Sequence, residues 1–402
     1  MSFKHPFRVS GDAVEAFVGK PFGISGEDIS GVVFNFSALA VGARTNPLGS
    51  TFTRASTAYI ENGDNALIST AAAINEARIA QVGSDVGLRI EGAMTNLLYP
   101  TYGTQDATGW SAGISGTSTP TSTTDMFGAT RNVLLHNANS GGVAQYPTKG
   151  SLTNPSLYAF SFAHKQGSTS SIQNSNFSSV QNILLATATA SWARSKKNIP
   201  TLSTSISAAP CDGRDMTASG GQAAQARNYY TDLHQLEQRP ASTYHPSARS
   251  AERIQYPGTT IVVGGKIQRI SYFKPAFSAV ELETWYTAGL QGNVYFWYLD
   301  ANNYACIIIG GANHRKVKVC VAGISEVLAT ALPDWAAWDK LKIYHSSGNG
   351  VPTGWYEHNG GARTTLGTGS TVMDPIIPGG ANIDFFSAGG STGHLEGLIL
   401  SA

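Results

Sequence analysis

The sequence predicts an all-β protein built of tandem antiparallel β-sandwiches, and three observations lead there. Charged residues make up 13% of the 402 residues, against roughly 25% in a typical soluble domain, so the helix-favouring Glu, Lys and Arg are scarce. The chain holds 44 glycines among abundant Ser, Thr and Asn, a composition suited to many tight turns. Its hydrophobic residues, 42% of the total, fall in short alternating runs rather than at a 3.6-residue period. At roughly 100–200 residues per domain, the length predicts two to four domains.

Charge also narrows the functional classes. Twenty-seven Lys and Arg against 26 Asp and Glu leave a net charge of +1, so no long-range field is expected to steer nucleic acid or anionic lipid. Nucleic-acid binding is therefore not expected, and membrane insertion is not expected either, because the longest weakly polar stretch, 31–43, is too short to span a bilayer. The first residues carry no apolar segment of secretory type, which predicts synthesis in a reducing cytoplasm. Three cysteines, Cys211, Cys306 and Cys320, read as reduced thiols filling core space, with the last two on adjacent strands of a hairpin.

Residues 1–50 set Phe3, Phe7, Phe17, Phe22, Phe34 and Phe36 among Gly, Pro and Ser breaks. Apolar anchors without regular periodicity predict either an extended arm that orders by packing on a partner, a candidate docking segment, or an N-terminal strand pair that closes the first sandwich. From residue 51 short strands follow: Phe52 and Arg54, then Ala58 and Ile60, run into the turn Asn62-Gly63-Asp64-Asn65. Val86, Leu88 and Ile90 form another after Gly83-Ser84-Asp85.

These words have a further meaning in combination. FTRAST (52–57), TAAAINEARI (70–79) and GLRIEGAMTNLL (87–98) are followed by Trp110, by LYAFSFAHKQG (157–167) and by SWARSKKNIP (191–200). YYTDLHQLEQRPASTYHPSARSAERI (229–254) closes the series. The ordered set resembles a signature of tailed-bacteriophage virion proteins, in which it accompanies a jelly roll resembling carbohydrate-binding modules. The resemblance covers about 51–255. It implies a structural virion subunit, localised to the virion, with other virion proteins and its own copies as partners in a homo-oligomer.

Beyond 255 a second β pattern appears. VYFWYLD (294–300), NYACIIIG (303–310) and KVKVCVAG (316–323) are strands joined by Asn- and Gly-rich turns, and LKIYH (341–345) and GWYEHNGG (354–361) add two more. The layout of 256–402 resembles concanavalin A-like lectin and glucanase domains.

A lectin-like fold implies aromatic faces that stack on sugar rings beside polar donors and acceptors. The candidates are Trp335 and Trp338 in PDWAAWDK with Asp334 and Asp339, and Trp355 with Tyr356 near His358 and Asn359. A second cluster is Tyr99, Tyr102 and Trp110. Glycoside hydrolysis needs paired carboxylates. The sequence offers only Glu281 and Glu283, read as one face of a strand, without the third acid that glucanases of the resembled fold carry. Gly389-Gly390-Ser391-Thr392-Gly393 lacks the strand–turn–helix setting of a nucleophile elbow, and only His394 and Glu396 follow it as a later His and acid. The expectation is therefore no enzyme, no catalytic residue, no metal site and no cofactor, with a structural Ca²⁺ held by backbone carbonyls left open. Neither His314 nor His345 has a ligand-spaced partner. The reading is a virion surface protein, on tail, neck or capsid, contributing to attachment to host-surface glycan. The alternatives are a polysaccharide-degrading tail enzyme and a purely architectural subunit.

Overall fold

A computed structural model describes residues 51–62, 66–98, 110–149, 151, 156–168, 171–176, 181–187, 189–201, 205–209 and 211–215. It further describes 223–239, 242–243, 245–256, 267–285, 292–347, 350–373, 382–388 and 393–401. The arm expected over 1–50, the cluster of Tyr99 and Tyr102, and most of the 389–393 motif lie outside these residues. The described residues are nearly all β, 58% strand with one short helix, in antiparallel sheets, as the composition predicts.

Two compact units divide it. The first takes 51–56, 72–93 and 250–402, and the second 57–71 and 94–249. In the first unit one sheet runs Thr51–Thr53, Arg253–Tyr256, Ile383–Phe385, Gly292–Asp300, Asn303–Ile309, Lys316–Val321, Ile324–Ala331. The other sheet of that unit contains, in order, Thr364–Thr368, Thr353–His358, Leu341–Ser347, Ile267–Pro275, Gly397–Ser401, Asp85–Ile90 and Arg78–Val82. Inward-facing residues of both share one core, which includes Leu88, Ile399, Phe273 and Ile343 from one sheet and Phe296, Ile307, Val319 and Phe385 from the other. The five strands read from the sequence between 294 and 361 are present, because runs buried on both faces bounded by turn residues are unambiguous there. Gly397 belongs to this packing: a Cβ there would lie 2.1 Å from the Lys274 carbonyl oxygen.

The sequence boundary at 255 does not coincide with these units. Leu88 pairs with Ile399, and Ile254 pairs with Phe52 and Phe385, so strands assigned to the first module complete the second. Residues 94–249 form an insertion within the chain of the first unit.

The signature words account for how the separate segments of that first unit are held together. Arg54, Arg78, Glu91 and Glu252 are 0–1% exposed and Arg89 is 3% exposed. Glu252 accepts from Arg54 Nη1, Arg78 Nε and Arg78 Nη2, each at 2.7 Å. Glu91 accepts from Arg78 Nη2 at 2.9 Å and Arg89 Nη2 at 2.6 Å. The Glu91 amide donates to Glu252 at 2.9 Å, and Arg54 Nη2 donates to the Ala73 carbonyl at 2.6 Å. Charges taken out of water survive only when paired and fully bonded, and the two carboxylates are bonded from three arginines, the five residues being carried by four separate words of the sequence.

Glu281 and Glu283 are a correction. They lie on a helix, Ala279–Trp285, not a strand, so side chains two apart diverge. Ser278 caps it: the Ser278 amide donates to Glu281 Oε2 at 2.8 Å, and the Glu281 amide donates to Ser278 Oγ at 3.2 Å. This reciprocal pair is a capping box.

The second unit carries a sheet in the order Ala193–Thr201, Ser156–Gln166, Arg227–Glu237, Thr130–Val143, Ile114–Thr124. A four-stranded sheet runs Gln181–Thr187, Ser171–Asn176, Ile206–Ala209, Thr148–Lys149. Tyr158, Phe160, Phe162, Tyr229 and Leu236 anchor the core. At the root of the insertion Met94–Thr95 pairs with Ala248–Arg249. Asn96 is buried there: its Nδ2 donates to the His234 carbonyl at 3.0 Å, and its Oδ1 accepts from the Leu98 and Leu236 amides at 3.1 and 3.2 Å.

Candidate functional site

The aromatic residues singled out in the 334–339 loop are largely structural. Trp335 is 2% exposed, sits in the core and donates its indole N–H to the Phe277 carbonyl at 2.9 Å. A ring so placed presents no face to a sugar, which corrects its reading as a stacking platform. Trp338, at φ +68°, packs half-buried against the same core, with the Arg89 guanidinium 4.6 Å from its ring centroid. Asp339 ties the loop. It accepts from the Ala336 amide at 2.8 Å and from Asn359 Nδ2 at 2.9 Å, and its Oδ2 lies 2.8 Å from His358 Nε2. These bonds hold its carboxyl below the usual range although burial opposes them. Asp334 is exposed, 3.7 Å from Arg315. Trp355 stacks on Tyr344 at 5.6 Å, with Arg363 at 4.1 Å. Tyr356 faces inward against the core. The six candidates thus do not converge on one surface.

Cys306 and Cys320 lie on adjacent strands as expected. Tyr304 is opposite Cys320, and Cys306 is opposite Lys318. All three cysteines are free and buried, and burial pushes the Cys211 and Cys306 thiols up to about 12. Among the described residues no group of three or more His, Cys, Asp or Glu could hold a metal ion.

A more convergent arrangement lies in the second unit, and it begins with a backbone irregularity. The strand Arg227–Glu237 pairs with Ser156–Gln166 through Ala163↔Asp232 and then Ser161↔Gln235, a register shift. The bulge holds Leu233 at φ +52°, a conformation that non-glycine residues rarely adopt. It lets Thr231 and His234 both face the core, where Thr231 Oγ1 lies 2.8 Å from His234 Nε2 and 2.5 Å from His136 Nε2. Ser118 Oγ completes the chain, 2.7 Å from His136 Nδ1. Burial depresses these rings, His136 to about 3 and His234 well below its ordinary value. His164, bonded to Ser195 at 2.7 Å, is lowered to about 4 for the same reason.

On the opposite face of that strand pair the alternation places Ala163, Lys165, Tyr230 and Asp232. Ala163 and Leu233 form a small buried cluster, against which Tyr59, Met126, Phe127 and Trp192 pack half-buried. Tyr59 stacks on Phe127 at 5.5 Å with 20° between planes. Lys165 reaches between two rings, its Nζ 5.4 Å from the centroids of both Trp192 and Tyr230. Nζ donates to Thr123 Oγ1 at 3.3 Å and to the Thr124 carbonyl at 3.5 Å. The Trp192 indole N–H donates to the same Thr124 carbonyl at 2.8 Å, which fixes that ring.

Arg131 supplies the polar floor. Its Nε donates to Asp125 Oδ2 at 2.5 Å and its Nη2 to Asp232 Oδ2. Asp125 also accepts from the Phe127 and Ala129 amides at 2.8 and 2.9 Å. Asp232 is 0% exposed, and its Oδ1 has no hydrogen-bond partner among the described residues. Burial pushes its carboxyl up to about 7, against the pull of Arg131. Burial likewise raises the Tyr59 phenol. Four half-exposed aromatic rings, an ammonium and a braced guanidinium therefore share one face.

No protein-family model matches the chain, and no curated protein matches its sequence.

This face was not singled out in the sequence. Its residues come from separate segments, and only the aromatic–basic text of SFAHKQG and SWARSKK hinted at it.

Proposed function

We propose that the chain is a structural protein of a tailed-phage virion, displayed on the particle surface, whose second unit contributes to host-surface glycan attachment. The observation that carries the attachment reading is the face formed by Trp192, Lys165, Tyr230, Tyr59 and Phe127. Half-exposed rings held by neighbours offer flat apolar surface at low entropic cost, which suits the C–H side of a pyranose. The ammonium and guanidinium beside them donate to ring hydroxyls. The virion reading rests on the ordered signature over 51–255. Its Arg54, Arg78, Arg89, Glu91 and Glu252 form the buried ion network and its Asn96 ties the root of the insertion, so the words that carry the resemblance are structurally necessary ones. Both carboxylates at the face are committed to Arg131, and the role proposed for it is binding without hydrolysis.

Sedimentation of the purified chain with envelope polysaccharide of the host tests attachment, and immunogold labelling of intact particles tests display. Trp192→Ala should abolish co-sedimentation and leave the far-ultraviolet circular dichroism unchanged. Undiminished binding by a folded Trp192→Ala protein would remove this face from the reading.

A further inference from the structure

Charge at this face favours one class of glycan. Among the described residues the ammonium of Lys165 has only Thr123 and Thr124 oxygens as hydrogen-bond acceptors and faces no carboxylate at ion-pair distance. Arg131 commits Nε and Nη2 to Asp125 and Asp232. Its Nη1 has no acceptor among the described residues, and the side chain keeps 22% of its surface exposed. Asp125 is bonded by that same arginine and by the amides of the 125–129 turn, and Asp232 is fully buried, so its unpartnered Oδ1 is not an acceptor open to solvent. What remains is one ammonium and one guanidinium edge beside aromatic rings, with no further acid among the described residues against either.

Resting on the glycan-attachment reading, we propose that the ligand is an acidic glycan, with the carboxylate of a uronic acid residue lying against Lys165 and Arg131 Nη1. The sugar's apolar side stacks on the Trp192 and Tyr230 rings. A cation beside an aromatic face already tolerates partial desolvation, so an incoming carboxylate replaces water at little further loss. A guanidinium pre-oriented by two carboxylates gives up little freedom on binding. Salt should weaken the interaction, as for any partly exposed ion pair.

The test is titration calorimetry of the full chain with oligogalacturonate and oligomannuronate, with the same oligomers after reduction of their carboxyl groups, and with mannose 6-phosphate. The acidic oligomers are expected to bind at least tenfold more tightly than the reduced ones. Lys165→Met, which keeps an unbranched apolar stem over both rings, is expected to erase that difference with the fold intact by circular dichroism. Equal affinity for acidic and reduced oligomers would overturn the acidic assignment and leave glycan attachment standing. Binding of the phosphate sugar but of neither uronate would overturn the carboxylate. If no acidic oligomer binds while envelope polysaccharide still co-sediments, the acidic class alone fails. If neither binds, attachment by this face fails with it.

Discussion

Glu252→Gln removes one negative charge and almost no volume from the buried ion network of the first unit. In the native protein Glu252 accepts three hydrogen bonds at 2.7 Å from Arg54 and Arg78 and one at 2.9 Å from the Glu91 amide. Without it, Arg54 and Arg78 lose their bonds to a carboxylate at 252, and Glu91 keeps its contacts to Arg78 and Arg89, all of these side chains nearly inaccessible to water. Removing one partner of a buried pair typically destabilises by about 3–5 kcal/mol, because the charge left behind is unsolvated. Equilibrium urea unfolding should show a loss of that order. Hydrogen exchange should accelerate first in Arg78–Val82 and Asp85–Ile90, which carry the network. As a control, Arg363→Ala breaks a pair to Glu357 at 2.9 Å whose arginine is 45% exposed, and it should change stability by no more than about 1 kcal/mol. A loss below about 1 kcal/mol for Glu252→Gln would refute the argument that these charges depend on one another.

Three further outcomes follow from the packing. Trp335→Ala should destabilise the first unit by about 3–5 kcal/mol, as large-to-small core changes do, whereas a binding defect in a protein of native stability would restore it as a ligand-contacting residue. Asn96→Ala should lower stability by about 1–3 kcal/mol, through the unsatisfied Leu98 and Leu236 amides and His234 carbonyl, read by thermal unfolding. His136→Gln should alter the pH profile of the second unit. A buried ring lowered to about 3 adds stability that is present above the unfolded value near 6.5 and is lost as the pH falls from there towards 3. The wild-type advantage should therefore shrink by about 2 kcal/mol between pH 7 and pH 5. Asp232, raised to about 7, runs the other way. Its contribution is present at low pH and lost as the pH rises through 7, so the comparison with the variant, not the raw profile, isolates the histidine.

Much of the fold was legible because turn chemistry and two-face burial are local signals. Asp300-Ala301-Asn302-Asn303 ends one strand and begins the next, with the Asn302 amide donating to Asp300 Oδ1 at 2.8 Å. The helix was missed although its capping box, Ser278 to Glu281, stands in the text. Seven residues are too few to display a 3.6-residue period. The unit boundaries were missed for a different reason. Pairing Leu88 with Ile399 is a long-range choice that neither local sequence records. Trp335 and Trp338 read as a surface loop because a loop residue turned into the core has no periodic signature. The arrangement in the second unit depends on a bulge at Leu233 that brings His234 to the side of Thr231 and leaves Asp232 on the other, and nothing in the string YYTDLHQLE announces the extra residue.

The most direct test of glycan attachment by this face is fluorine NMR of the full chain with 5-fluorotryptophan at its seven tryptophans, titrated with host envelope oligosaccharide. Resonances are assigned by single Trp→Phe changes. The Trp192 resonance is expected to shift and saturate with added oligosaccharide, while those of Trp335 and Trp338, buried or covered by Arg89, stay in place. A saturable shift at Trp338 or Trp355 with Trp192 unmoved would contradict the account and return the site to the first unit.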